Sequence, residues 1–89
     1  MEIYYYKDTT GKEVDFVIKE RSKVKELIQV CYDLSNMETK EREITGLVNG
    51  LEEFDLKSGI VITADFEGEE NIKNKEIIYK PLWKWLSGF

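Results

Sequence analysis

The chain has 89 residues, 42% hydrophobic and 12% aromatic, which is material for one small domain with a single core. Its 18 acidic residues outnumber 13 basic ones for a net charge of −5, which weighs against strong nonspecific nucleic-acid binding, since neutralising phosphates takes clustered Lys and Arg. The lack of any His and the single Cys exclude an internal disulfide, the usual zinc-ligand sets and the Ser–His and Cys–His nucleophile pairs.

Residues Ile3 to Lys7 (IYYYK) read as a short aromatic strand, and Asp8 to Lys12 clusters Thr and Gly as a hairpin loop does. Glu13 to Glu20 (EVDFVIKE) sets Val14, Phe16 and Ile18 against Glu13, Asp15, Val17 and Lys19, a period-two strand with one apolar face. Arg21, Ser22 and Lys23 form a second tight turn into a third strand, Val24 to Asp33. Three strands joined by short loops predict an antiparallel meander. Lys19, Arg21, Lys23 and Lys25 gather near the second turn, where a solvated hairpin tip explains them better than a phosphate patch.

The period then changes. Beyond Ser35 or Asn36 as N-cap, Glu38 to Phe54 places Ile44, Leu47, Val48, Leu51 and Phe54 at helical spacing, with Glu38, Lys40, Glu41, Arg42, Glu52 and Glu53 outside. Gly46 and Gly50 either allow a close approach to the sheet or simply weaken the helix by up to ~1 kcal/mol each. Ile60 to Asp65 is a β-branched run suited to burial on both faces. A helix crossing over between the third strand and this one predicts the two as parallel neighbours. Phe66 to Glu70 reads as an acidic loop, and Asn71 to Lys80 as a ribbon folded at Lys73-Asn74-Lys75, with Glu76 to Lys80 the stronger arm. Pro81 is expected at the first position of a terminal helical turn, PLWKWL. The expected fold class is α/β: a mixed sheet in βββαβ order with a C-terminal hairpin and a short helix.

Polar residues interrupt two of these strands: Asp15 in the second, Gln29 and Cys31 in the third. A turn centred on Ser22 sets Asp15 opposite Gln29. An acid on one strand followed on the next by an acid-x-Lys pair is the pattern of PD-(D/E)XK nucleases. There, two carboxylates hold a divalent cation that activates water, and a lysine ammonium steadies the transition state. The strand order and the phrase GKEVDFVI (residues 11–18) resemble that restriction-endonuclease-like superfamily. More specifically, the chain is similar to the C-terminal domain of a family of archaeal and bacterial AAA+ ATPases. The phrases LIQVCYD (27–33), TKEREI (39–44), IVIT (60–63) and PLWKWL (81–86) carry that likeness over nearly the whole length.

The resemblance implies one domain over residues 1–89, a C-terminal fragment that follows an ATPase module in a longer chain. ATP then belongs to that upstream module, because no GxxxxGK[ST] phosphate loop occurs here. No cofactor is implied for this domain, with Mg or Mn entering only if cleavage survives. The implied partners are the ATPase module and other proteins, nucleic acid more weakly, and no membrane. No stretch approaches the ~18 consecutive apolar residues of a membrane span and no secretory leader is visible, so a cytoplasmic setting is expected.

Two departures from the nuclease pattern matter. Gln29 and Cys31 stand where active members carry an acid and Lys, leaving Asp15 alone at an essential position. The acidic helix that opens the superfamily fold has no counterpart before the first strand. The candidate site residues are therefore Asp15, Gln29, Cys31 and Glu43, with Asp15 the one candidate metal ligand. Plainer readings accompany each. Asp15 fits a solvated strand face, Gln29 a hydrogen-bond partner for Asp15 or backbone, and Cys31 a small buried hydrophobe. Glu43, one position before Ile44, either approaches the sheet beside Gln29 or pairs at the surface with Lys40 or Lys57. Trp83 and Trp85 anchor a partner or cap the core, at least one being expected in the core, and Tyr4, Tyr5 and Tyr6 are expected to cover the sheet. The expected function is a nuclease-fold accessory domain without catalysis, serving protein interaction, substrate recognition or regulation. The alternatives are an active metal-dependent DNA nuclease with an atypical site and a non-catalytic nucleic-acid-binding module.

Overall fold

The computed structural model describes residues 2–7, 13–21, 23–32 and 34–87, with side chains from residue 17 onward. β1 (Glu2–Lys7), β2 (Glu13–Glu20) and β3 (Lys23–Val30) form the expected antiparallel meander. β2 and β3 turn at Arg21, whose φ of 55° is left-handed; Ser22 and the loop at 8–12 lie outside the described residues. Arg21, Lys23 and Lys25 are solvated there, as a hairpin tip predicts. β3 is shorter than expected. Its ladder ends at Val30, after which only the Cys31 amide still reaches β4, donating to the Ile62 carbonyl at 2.8 Å, and the chain bends away at Tyr32.

α1 (Met37–Glu53) starts one residue before the expected Glu38, with Asn36 of the two candidate caps in place: its side chain accepts from the Thr39 amide at 3.0 Å, satisfying one of the first-turn donors. Its end was less legible. Leu56 donates to the Leu51 carbonyl and Asp55 to that of Glu52, a Schellman closure with Asp55 at φ 56° where glycine is usual. β4 (Ser58–Thr63) then pairs parallel to β3, as the crossover helix predicts.

The C-terminal third departs most from expectation. β5 (Gly68–Ile72) begins inside the presumed acidic loop, and β6 (Lys75–Pro81) inserts between β4 and β5, parallel to the former and antiparallel to the latter. Lys73 and Asn74, at φ 51° and 66°, make the two-residue turn of a twisted hairpin. The sheet has six strands in the order β1-β2-β3-β4-β6-β5. Pro81 closes β6 opposite Thr63 and is buried, so the terminal helix α2 (Leu82–Ser87) starts one residue later than predicted. A proline is tolerated at that position because the ladder needs no further donor there.

The core lies on both sides of the sheet. Ile44, Leu47, Val48 and Leu51 of α1 pack on Val17, Leu27, Val61, Ile77 and Tyr79, while Ile18, Ile28 and Ile62 pack on the other face with Leu82 and Trp85. Each such side chain contributes ~1.5–3 kcal/mol by burial. β2 was expected to have one apolar face; Val17 and Ile18 are both buried because helices sit on both faces. Trp85 serves the core and Trp83 stays exposed, while the side chains of Tyr4, Tyr5 and Tyr6 lie outside those described. Gly46 and Gly50 are buried in α1. The glycine that meets the opposing element is Gly59 of β4, where a Cβ would sit 3.0–3.1 Å from methyls of Leu47 and Leu51.

Candidate functional site

β3, β4 and β6 run parallel, and their carboxyl ends lie under the first half of α1. Open α/β sheets place ligand crevices beside such strand ends. Here the strands bring four polar side chains to the α1 face or its rim: Gln29 and Cys31 from β3 and its exit, Thr63 from β4 and Tyr79 from β6, all buried. Thr63 is committed to the turn, its hydroxyl donating to the Phe66 carbonyl at 2.6 Å.

Gln29 is the centre of the arrangement. It is 1% exposed, and its Nε2 donates to the Glu43 carboxylate, which α1 lowers onto the sheet. Of the two roles open to Glu43, the reach to Gln29 is realised. Arg42 stands 3.9 Å from the other carboxylate oxygen, an exposed pair of little energetic weight. Gln29 Oε1 is buried with no hydrogen-bond partner among the described residues. A buried amide oxygen of this kind asks for a donor. The β2–β3 register pairs Phe16 with Ile28 and Val17 with Leu27, so the Asp15 backbone adjoins Gln29; the turn pairs Glu20 with Lys23 rather than centring on Ser22, and the irregularity between Ile18 and Lys19 sets this register. The Asp15 side chain lies outside those described. Cys31 is buried two residues beyond Gln29, packed in the same core as Ile44 and Tyr79. Among the described residues no three His, Cys, Asp or Glu side chains converge as a metal site needs.

A second polar group adjoins the first, and sequence reasoning passed over it. The Tyr79 hydroxyl donates to Glu70 Oε1 at 2.6 Å, its ring meets Phe66 edge-on at 5.3 Å, and Lys40 Nζ stands 5.8 Å from the ring centroid. The period-two pattern of β6 offered the only signal, because Tyr79 falls on the same face as Ile77. A surface cleft of about 320 Å³ opens here, lined by Lys40, Glu41, Ile44, Thr45, Glu70 and Ile72 with Met37 at its edge. Burial first, then the hydrogen bond to Glu70 and its negative charge, hold the Tyr79 phenol above its ordinary value of 10.0. A folded-state value raised above the unfolded one means this group's contribution is whole below about pH 10 and is lost as pH climbs past it. Tyr79→Phe is expected to cost ~1 kcal/mol near neutral pH and to flatten the alkaline loss. Urea unfolding of both proteins near neutrality and at about pH 11 checks this; equal alkaline losses would count against it.

Chemically, the centre of the site is a buried polar contact between the sheet and α1. Its acceptor is the Gln29 amide oxygen, the Glu43 carboxylate is already engaged by that amide, and its thiol is enclosed.

Comparison with known proteins adds context. Residues 1–85 match a family model described as a domain of unknown function, DUF4143. Over 90 residues the chain is 39% identical to the uncharacterised protein MJ1544 of Methanocaldococcus jannaschii, a match covering 94% of this chain and 20% of that protein. The chain thus spans about a fifth of the length of the curated relative it matches. No solved structure matches it.

Proposed function

The chain belongs to the DUF4143 family, and on that premise we propose that it is a nuclease-fold accessory domain that does not cleave, serving protein contacts, substrate recognition or regulation within a longer AAA+ ATPase. The observation that carries this reading is the Gln29–Glu43 contact. At the strand position where a PD-(D/E)XK nuclease keeps its second carboxylate, a neutral amide donates to the nearest acid instead of leaving that acid to a cation. Two residues on, the place of the lysine is taken by an enclosed thiol, which carries no positive charge to a phosphate. The βββαβ order supports the restriction-endonuclease-like scaffold, and the helix-covered strand ends support a site that has kept its place in the fold and lost its charges. The longer context is supported by the relative of which this chain covers 20%, and by the sequence likeness to the C-terminal domain of AAA+ ATPases. No helix among the described residues is long and apolar enough to cross a membrane.

Incubated with Mg²⁺ or Mn²⁺ and single-stranded, duplex or branched DNA, the chain is expected to leave every substrate intact. Cleavage that Asp15→Asn abolishes would sink the non-catalytic reading.

One observation favours a second reading. α1 delivers the Glu43 carboxylate to the Gln29 position, so a helix-borne acid stands near where a strand-borne one is missing. A nuclease working with Asp15 and Glu43 would bind Mn²⁺ saturably, and Asp15→Ala would remove that binding. Calorimetry without a binding isotherm for the unmutated chain rejects it.

A further inference from the structure

We propose that the sheet face opposite α1 is a docking site for an amphipathic α-helix whose flank carries Lys or Arg. Ile28, Ile60 and Ile78 register with one another across β3, β4 and β6, forming an apolar row that runs across the strands. On the other face α1 supplies 17 residues of cover. On this face α2 supplies six, none of them buried. Ile60, Ile78 and Val30 stay half-buried, and a groove of about 330 Å³ remains between Ile18, Ile28, Val30, Ile62, Leu82 and Trp85, with Tyr32 at its mouth.

α2 extends the apolar surface. Leu82 and Trp85 turn to the sheet, while Trp83 and Leu86 stand 65% and 56% exposed. Exposed tryptophans are typical interface anchors. In layered folds the element that covers an apolar sheet face is a helix.

Charge selects the kind of helix. Glu26 registers with Ile18, Glu69 with Ile78, and Glu76 lies two residues before Ile78 on the same side of β6; all three are exposed. Glu26 and Glu76 border the isoleucine row toward the amino ends of the parallel strands, whereas α2 begins at the carboxyl end of β6. Among the described residues, two cations stand on the α2 side of this face: Lys80 registers with Ile62, and Lys84 is paired with Glu67. A helix laid along the row therefore meets carboxylates on its far flank, and Lys or Arg there completes the contact. This face and the Gln29 pocket are on opposite sides of the sheet, so the inference stands whichever way the cleavage assay falls.

The test titrates the 89-residue chain with two labelled synthetic helices, both with Leu at i, i+3, i+4 and i+7, one flanked by Lys and the other by Glu, and reads anisotropy. The Lys helix is expected to bind about tenfold more tightly than the Glu helix, and the double variant Glu26→Lys/Glu76→Lys to invert the preference. Both substitutions are at exposed positions, so the core is untouched. Failure of the Lys helix to bind, or undiminished binding of the Lys helix to the charge-reversed chain, overturns the proposal. So does a dimer in sedimentation that Trp83→Asp dissociates, since a second copy would then be the occupant.

Discussion

Gly59→Val and Leu47→Ala are each expected to destabilise the domain, and together to do so by less than their sum. Leu47 is fully buried in α1, and its removal to Ala opens a cavity at a cost of ~2–5 kcal/mol. Gly59 lies directly beneath it on β4, where an added Cβ meets Leu47 methyls at 3.0 and 3.1 Å and a Leu51 methyl at 3.1 Å. A valine there forces the helix side chains aside, costing ~1–3 kcal/mol. In the double variant the valine branches fill part of the space that leucine left, so a favourable coupling of ~1 kcal/mol or more is expected. Urea unfolding of the four proteins measures it. Strict additivity would mean that α1 and β4 are not held apart by this contact.

Gln29→Glu is expected to make stability depend strongly on pH. The new carboxyl lies at a position 1% exposed and against the carboxylate of Glu43, so the pair shares a proton and its upper titration is displaced above the ordinary ~4.3 of a glutamate. The folded-state value is then higher than the unfolded one. The variant accordingly keeps near-native stability at acid pH and loses it as pH rises, by up to ~1.4 kcal/mol per pH unit, reaching a deficit of ~3 kcal/mol near neutrality. Unfolding of variant and parent at about pH 4.5 and pH 7 checks this; a gap of equal size at both would show that the new carboxyl is held ionised by local donors. The substitution also restores the second acid of the nuclease pattern. Stabilisation of the variant by Mn²⁺ at neutral pH would show that the pocket keeps the geometry of a cation site.

The elements that could be read from sequence are those with one unambiguous period. EVDFVIKE is strand β2 to the residue, and the α1 stripe from Ile44 to Leu51 is buried as its spacing demands. Asn36 caps α1 because a short side-chain oxygen before a helical period has little else to bond. Less legible were features decided by pairing between distant segments. Nothing local in KEIIYKP says that it inserts beside β4, and without that strand the roles of Ile77 and Tyr79 stay hidden. Residues 66–70 read as a loop because Gly and Glu are poor strand formers, yet an edge strand needs only one neighbour, and acids suit an edge exposed to solvent. Of the site, the meeting of Gln29 with Glu43 was among the options the spacing left open. The choice between that contact and a surface ion pair turns on the distance between α1 and the sheet.

That distance depends in turn on when the sheet is complete. β6 follows the other five described strands in sequence yet is an interior one, with β4 on one side and β5 on the other. Until it is in place, β4 ends the sheet as an open apolar edge, and the core under α1 lacks Ile77 and Tyr79. Emergence from the ribosome is therefore followed by a search that cannot close early. The three-stranded meander forms from short-range contacts, whereas the interior place of β6 is filled only after β4 and β5, which flank it, have been made. In this interval the isoleucine-rich edge of β4 is the segment most open to pairing with another chain. Binding of a helix across β3, β4 and β6 would hold the late strand against its neighbours, so a docking partner for that face would also hasten maturation.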